Sequence, residues 1–183
     1  MKATETPLAG CYVIEPTVFE DERGYFFEGF NQEKLEKAVG ATFNPVQLNQ
    51  SRSSIRVLRG LHFQKPPHEQ AKLVSCTEGE ILDVAVDIRP ESKTYGQHFS
   101  IVLTDENKKS LFVPKGFAHG FMVLSQNAKI MYLVNTFYSP KHDAGIYYND
   151  SKLNIDWGLK DYSPILSKKD ASLPTLDQIN LNV

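Results

Sequence analysis

The chain has little cysteine and no large excess of either charge. Cys11 and Cys76 are its only cysteines. Two isolated thiols in a chain without an export signal read as reduced and buried, not as a disulfide or a metal site. A formal charge of −2 and a pI near 6.2 argue against a nucleic-acid or membrane-surface protein. An anionic ligand must then be met by a local basic patch. No apolar run approaches the roughly 18 residues of a membrane span. Met1 to Pro7 has no hydrophobic signal core, so a cytoplasmic location is expected. A glycine-rich dinucleotide fingerprint and a Walker loop are both absent, which argues against a bound NAD or NTP. Repeats, low-complexity tracts and Pro/Gly linkers are absent too, and 183 residues suit one domain spanning 1–183.

What is present alternates short β-branched and aromatic runs with turn residues, the pattern of an all-β sandwich or barrel. From Ile81 to Ile88, Leu82, Val84, Val86 and Ile88 fall on one face of a strand, with Asp83, Ala85 and Asp87 on the other. That second face is polar enough to line a cavity. Further strands are expected over 96–103, 111–113, 120–124 and 129–136, with turns at 104–107 and 125–127. Asn31 to Val39 predicts a helix capped by Asn31, and a second short helix is expected near Leu176 to Ile179. Trp157 is expected to anchor the looser C-terminal segment. The fold class expected is all-β: a jelly-roll, cupin-like β-barrel with a few short helices.

Two segments carry chemistry. In Leu58-Arg59-Gly60-Leu61-His62-Phe63-Gln64 a histidine follows an arginine by three residues. A base that titrates near neutrality beside an anion-binding fork suggests proton transfer on a phosphorylated or carboxylated substrate. Taken alone, His62 between Leu61 and Phe63 fits a core position as well. Pro114-Lys115-Gly116-Phe117-Ala118-His119-Gly120 resembles the second motif of the cupin superfamily, where the histidine commonly binds a metal. The first cupin motif needs a His-x-His pair, and here the comparable stretch ends in Gln64. Scattered histidines do not supply three protein ligands, so a metal-free cupin is expected. On spacing alone Lys72 reads as a solvated lysine, Tyr132 as a structural tyrosine and Ser167 to Asp170 as a surface turn. His68, His98 and His142 read as solvated.

The order of segments alters these weights. Asp21-Glu22-Arg23-Gly24-Tyr25-Phe26, Gln47 to Ser51, Leu58 to Gln64, Gln70 to Val74, Gly79 to Val84, Pro114 to Phe121 and Leu166 to Asp170 occur in one succession. In that succession the chain closely resembles the dTDP-4-dehydrorhamnose 3,5-epimerase family, over essentially residues 8–174. The resemblance implies His62 as base, Asp170 as its orienting carboxylate and Tyr132 as proton donor. It implies nucleotide and sugar contacts at Arg23, Phe26, Glu28, Gln47, Asn49, Arg59, Lys72, His119 and Lys169. A substrate-contacting glutamate of the family falls at Asp143, one methylene shorter, and the usual Trp-Pro is Trp157-Gly158.

The implied substrate is a dTDP-linked 4-keto-6-deoxyhexose whose C3–H and C5–H flank a ketone. Epimerisation removes such a proton to form an enolate and returns one to the opposite face. Neither a cofactor nor a metal is implied. Family members are dimers in which one subunit's N-terminal region covers the other's site. Epimerisation at one carbon only, or of another nucleotide-linked 4-keto sugar, stays open. So does a non-catalytic sugar-nucleotide-binding cupin, although binding alone needs no base–acid pair.

Overall fold

Strand alternation from Ile81 onward is realised in the computed structural model, which describes residues 1–159 and 162–179. Residues 160, 161 and 180–183, part of the expected domain, lie outside the described residues. In chain order the early strands are β1 (Lys2–Glu5), β2 (Tyr12–Glu15), β3 (Val18–Asp21), β4 (Gly24–Phe27), β5 (Gln47–Ser54) and β6 (Leu58–Gln64). They are followed by β7 (Lys72–Glu78), β8 (Glu80–Asp87), β9 (His98–Thr104), β10 (Ser110–Val113), β11 (Phe117–Val123), β12 (Asn127–Val134) and β13 (Asp143–Gly145). The helices are α1 (Gln32–Val39) and α2 (Lys168–Ala171), and Leu176–Gln178 forms a 3₁₀ turn. Among the described residues no helix is long and apolar enough to cross a membrane.

The strands assemble into a six-stranded sheet, β1-β2-β10-β7-β12-β5, and a five-stranded sheet, β13-β6-β11-β8-β9. A separate ribbon pairs β3 with β4. The two large sheets face each other across Val74, Cys76, Leu111 and Ile130 from one and Ile81, Ala85, Leu103 and Phe121 from the other. Burial of this apolar layer, at about 25 cal/mol per Å², is the main force joining them. The all-β, cupin-like expectation holds, with one refinement. Among the described residues no ladder joins one large sheet to the other, so side-chain packing rather than barrel closure holds them together.

The outer face of the five-stranded sheet is covered by the C-terminal segment. Leu58, Leu61, Phe63, Val84, Val86 and Met122 pack there with Ile146, Leu153 and Trp157. The Trp157 indole N–H donates to the Tyr148 carbonyl at 2.9 Å, which meets the expectation of an anchor. Helix α1 begins where Asn31 accepts the Lys34 N–H and ends at Gly40 in the left-handed region. It seats Leu35 and Val39 on the outer face of the six-stranded sheet.

Strand β5 is the informative miss. Its sequence, Gln47-Leu48-Asn49-Gln50-Ser51-Arg52-Ser53-Ser54, has almost no β-branched or aromatic residue. It is a strand because β12 pairs with it along its whole length, and as an edge strand it needs no apolar inner face. Ser167 to Asp170, read as a turn, is a helix cap and first turn: the Ser167 side chain accepts the Asp170 N–H. The polar face of β8 is only partly what was expected. Asp87 is taken up by its own loop, accepting from Arg89, Ser92 and Thr94, and lines no cavity.

A register irregularity places the chemistry. β6 would alternate in and out with period two, which puts Arg59 and His62 on opposite faces. Gly60 adds one residue to the strand and restores the alternation beyond it. Leu58, Leu61 and Phe63 then join the outer layer, and the β6–β11 pairing shifts between His119 and Phe121. Gly60 takes φ +117°, and a Cβ there would stand 2.7 Å from the Cα of Gly120 and 2.8 Å from the His119 carbonyl oxygen. The two backbones approach as only glycine allows. Gly60→Ala is therefore expected to destabilise the fold by about 1–3 kcal/mol, read as a lower urea midpoint. An unchanged midpoint would show that the crossing tolerates a methyl group.

Candidate active site

Toward β13 and α2, the space between the sheets changes from apolar to polar. It opens as two adjoining lobes of about 300 Å³ and about 350 Å³, which share His62, Lys72, Tyr132 and Lys169. The first lobe adds Arg59, His119 and Asp170, and the second adds Gln47, Asn49 and Asp143. A larger groove of about 560 Å³ lies on the outer face of the six-stranded sheet, among Tyr25, Phe27, Phe30, Leu48 and Leu133. Its floor is apolar and it lacks the His62–Asp170 pair, so size alone does not identify the site.

His62 Nε2 lies 2.5 Å from Asp170 Oδ1. A carboxylate only accepts, so the proton sits on Nε2 and Nδ1 is the basic nitrogen of the ring. Asp170 is buried, and its second oxygen accepts the Ser167 hydroxyl at 2.9 Å. Burial raises the Asp170 carboxyl, but the bonds from His62 and Ser167 and the Lys169 charge outweigh it and hold the group below its ordinary range. Asp170 thus stays a carboxylate facing the His62 ring.

Tyr132 comes from β12 in the opposite sheet. Burial pushes its phenol above the ordinary value, with the Arg59 charge opposing only in part. It is a protonated donor at neutral pH. Lys72 enters from β7, buried, with a long bond of 3.5 Å to the His62 carbonyl. Burial brings its ammonium down to about 8, which Asp83 and Asp143 oppose and Lys169 reinforces. His119, paired with His62 across the β6–β11 ladder, lies 2.8 Å through Nε2 from Asp83 Oδ1.

Around this centre sit further polar groups, held by bonds to one another. Arg59 is steadied by Nε donating to Ser53 Oγ at 3.0 Å. Gln47 donates to Asn49 at 2.7 Å and accepts the Tyr138 N–H at 3.2 Å. Asp143 accepts from Lys169 and, at 2.9 Å, from the Tyr138 hydroxyl. The Gln64 side chain donates to the His68 carbonyl at 2.6 Å and accepts the Ser139 N–H at 2.6 Å. It is a clasp between loops at the position where a metal-binding cupin would carry its second histidine. Among the described residues no group of three His, Cys, Asp or Glu side chains is placed to hold a metal ion.

Ten of the residues singled out from the sequence therefore line one cleft: His62, Tyr132, Asp170, Gln47, Asn49, Arg59, Lys72, His119, Asp143 and Lys169. Arg23, Phe26 and Glu28 do not. Arg23 pairs with Asp21 at the tip of the β3–β4 ribbon, Phe26 is 65% exposed, and Glu28 is held by Lys34 and Asn31. The sequence reading passed over Tyr138, Ser53, Ser167, Gln64 and Asp83 as site groups. Only Asp83, an acid within an apolar strand, carried a signal. Lys72 and Tyr132, bland on spacing, gain their roles from the sheets that meet at them. His142 is partly exposed, with its ring 4.2 Å from that of His68 and Nδ1 bonded to the Ser139 hydroxyl at 2.7 Å.

The fold and the cleft define a jelly-roll protein whose sheets bring a His–Asp pair, a tyrosine, an arginine and two lysines into one cleft. Residues 5–178 match the dTDP-4-dehydrorhamnose 3,5-epimerase family, and the chain belongs to it. It is 47% identical over 178 residues to the dTDP-4-dehydrorhamnose 3,5-epimerase of Salmonella typhimurium, covering 97% of each chain. Among solved structures, that of the enzyme of the same name from Elizabethkingia anophelis superposes with a TM-score of 0.93 at 51% identity, with 97% of each chain covered. The dTDP-6-deoxy-D-glucose-3,5-epimerase of Legionella pneumophila, solved in complex with dTDP-4-keto-L-rhamnose, gives 0.94 at 44% identity, covering 98% of this chain and 94% of that one.

The dyad makes a direct prediction. In wild type, ¹⁵N NMR of the His62 ring should show the proton on Nε2, and Asp170→Asn should give a mixture of tautomers. A single unchanged tautomer in Asp170→Asn would mean that the carboxylate does not set it.

Proposed function

We propose that this protein inverts C3 and C5 of dTDP-4-keto-6-deoxyglucose through enolate intermediates, as a dTDP-4-dehydrorhamnose 3,5-epimerase serving dTDP-L-rhamnose synthesis. The observation that carries the reading is the placement of base and acid. The His62–Asp170 dyad and Tyr132 project into one cleft from opposite sheets, with the buried Lys72 ammonium beside them. Membership of the family supports the substrate class.

His62 Nδ1 takes the proton from C3 or C5, and the bond electrons pass into the enolate at C4. Asp170 stabilises the imidazolium that forms. Lys72 donates a charge-assisted hydrogen bond to the enolate oxygen, worth most in a site shielded from water. Tyr132 delivers a proton to the opposite face and recovers one from solvent, while His62 releases the one it took. Arg59 binds the diphosphate, and Gln47, Asn49, His119, Asp143 and Lys169 orient sugar and nucleotide. These steps need neither a cofactor nor a metal.

A homodimer completes the site. Arg23, Phe26 and Glu28 lie outside their own chain's cleft, on a ribbon that exposes Phe19, Tyr25 and Phe26. In this reading the ribbon covers the partner's site, and burial of its aromatics holds it there. The protein acts in the cytoplasm as one domain.

Incubation with dTDP-4-keto-6-deoxyglucose in heavy water should place deuterium at both C3 and C5, read by NMR. His62→Ala is expected to abolish uptake at both carbons. Tyr132→Phe should still exchange a C–H proton yet fail to invert, each loss being about 10²–10⁴ in rate. Near wild-type inversion by Tyr132→Phe would remove the donor, and label at one carbon would make the protein a mono-epimerase.

The Lys72 ammonium sets the alkaline limit. Protonated Lys72 is the active form and its group titrates at about 8, so kcat/KM should fall as pH rises through that value. Tyr132 keeps its proton over the same range. A kcat/KM profile flat to about pH 10 would remove Lys72 from the step.

A further inference from the structure

Asp83 has no place in the steps above, yet its surroundings are those of a working group. It lies within β8, wholly buried, on the side of the strand that faces the opposite sheet. Oδ1 is taken by His119 at 2.8 Å. Oδ2 is equally buried and accepts no hydrogen bond among the described residues. A buried carboxylate oxygen without a donor is costly, and a fold that keeps one needs a compensating charge.

Lys72 is a buried cation that feels the charge of Asp83 without an ion-pair contact to it. Its ammonium is buried and bonded at 3.5 Å to a single carbonyl, so it too lacks a strong partner among the described residues. The titratable groups that face it most directly are the carboxyls of Asp83 from β8 and Asp143 from β13 and the amine of Lys169 from α2. His62 and Arg59 from β6, His119 from β11 and Tyr132 from β12 line the same lobe. Asp143 shares its charge with Lys169 and Tyr138 at the cleft rim. Asp83, bonded through Oδ1 to His119 and with Oδ2 free of any hydrogen bond among the described residues, is the carboxylate on the buried side.

We propose that Asp83 is a positioning residue for the epimerisation, one oxygen fixing the His119 ring and the other keeping the Lys72 ammonium charged beside the substrate ketone. This rests on the epimerase reading above. The consequence for His119 is geometric. Its proton is held on Nε2, so Nδ1 is the nitrogen it offers to the cleft, an acceptor for a sugar hydroxyl. The consequence for Lys72 is electrostatic. An opposite charge in the low-dielectric interior favours the protonated amine that the enolate oxygen requires.

Asp83→Asn retains the shape and the acceptor for His119 while removing the charge. The alkaline limb of kcat/KM is expected to move down by about one pH unit. In lysine-labelled protein the Lys72 NMR signal, assigned by its loss in Lys72→Met, should titrate lower by the same amount. A purely structural Asp83 would reduce activity through loss of folded protein and leave both midpoints in place, and unmoved midpoints in the folded variant overturn the proposal. The lysine titration needs no turnover, so it decides this point even if wild-type protein shows no deuterium exchange, the result that would refute the epimerase reading. Should Asp83→Asn fail to fold, the double variant Lys72→Met with Asp83→Asn decides. Linked charges make it unfold at higher urea than Lys72→Met alone, because the orphaned carboxylate is gone. A lower or equal urea midpoint overturns the link.

Discussion

Where β6 crosses β11, the backbones at Gly60 and Gly120 stand closer than a methyl group permits. The arrangement of the cleft depends on that approach. Without the extra residue at Gly60, strand alternation would turn either Arg59 or His62 outward. It would then enter the apolar layer beneath Trp157, where a guanidinium or imidazole would lack partners. With it, both side chains enter the cleft, and His62 comes level with His119 on the neighbouring strand. His62 and Arg59 share a face because of one glycine.

The same sheets do two jobs along their length. One part of the space between them is filled by Val74, Ile81, Leu103, Leu111 and Ile130, which supply the burial that holds the sheets together. The other part is lined by Gln47, Asn49, Lys72, His62 and Tyr132. The apolar part excludes water behind the polar part, so charges there act in a medium of low dielectric. Their protonation states diverge accordingly. Asp170 is held ionised by its bonds, the Tyr132 phenol is kept protonated by burial, and Lys72 is drawn toward neutrality. Environment thus reinforces the ordinary states of the Asp170 carboxylate and the Tyr132 phenol, and works against that of the Lys72 ammonium.

At the rim, Asp143 is committed to Lys169 and to the Tyr138 hydroxyl. Gln64 ties the loop carrying Tyr138 to the end of β6, so this edge is braced by hydrogen bonds to backbone rather than by packing. The rim is thus a hydrogen-bonded frame around an apolar-backed cleft, well suited to an elongated polar ligand.

Much was legible without the fold. The alternation of β8, the Asn31 cap of α1, the burial of both cysteines and the ordered motifs around Arg59, His62 and His119 are local properties. Short-range sterics and periodicity decide them, and the sequence alone determined them. Lys72, Tyr132 and Ser167 to Asp170 were bland on spacing because their roles are not local. Tyr132 faces His62 only because two sheets pack, and Asp170 meets His62 across 108 positions of chain. β5 is a strand because β12 pairs with it, against its own composition. The buried carboxylate of Asp83 could be seen as an acid in an apolar strand, but not as the neighbour of Lys72. Contacts between distant segments, and the burial that shifts protonation, exist only once the apolar layer has closed, so tertiary structure decided them.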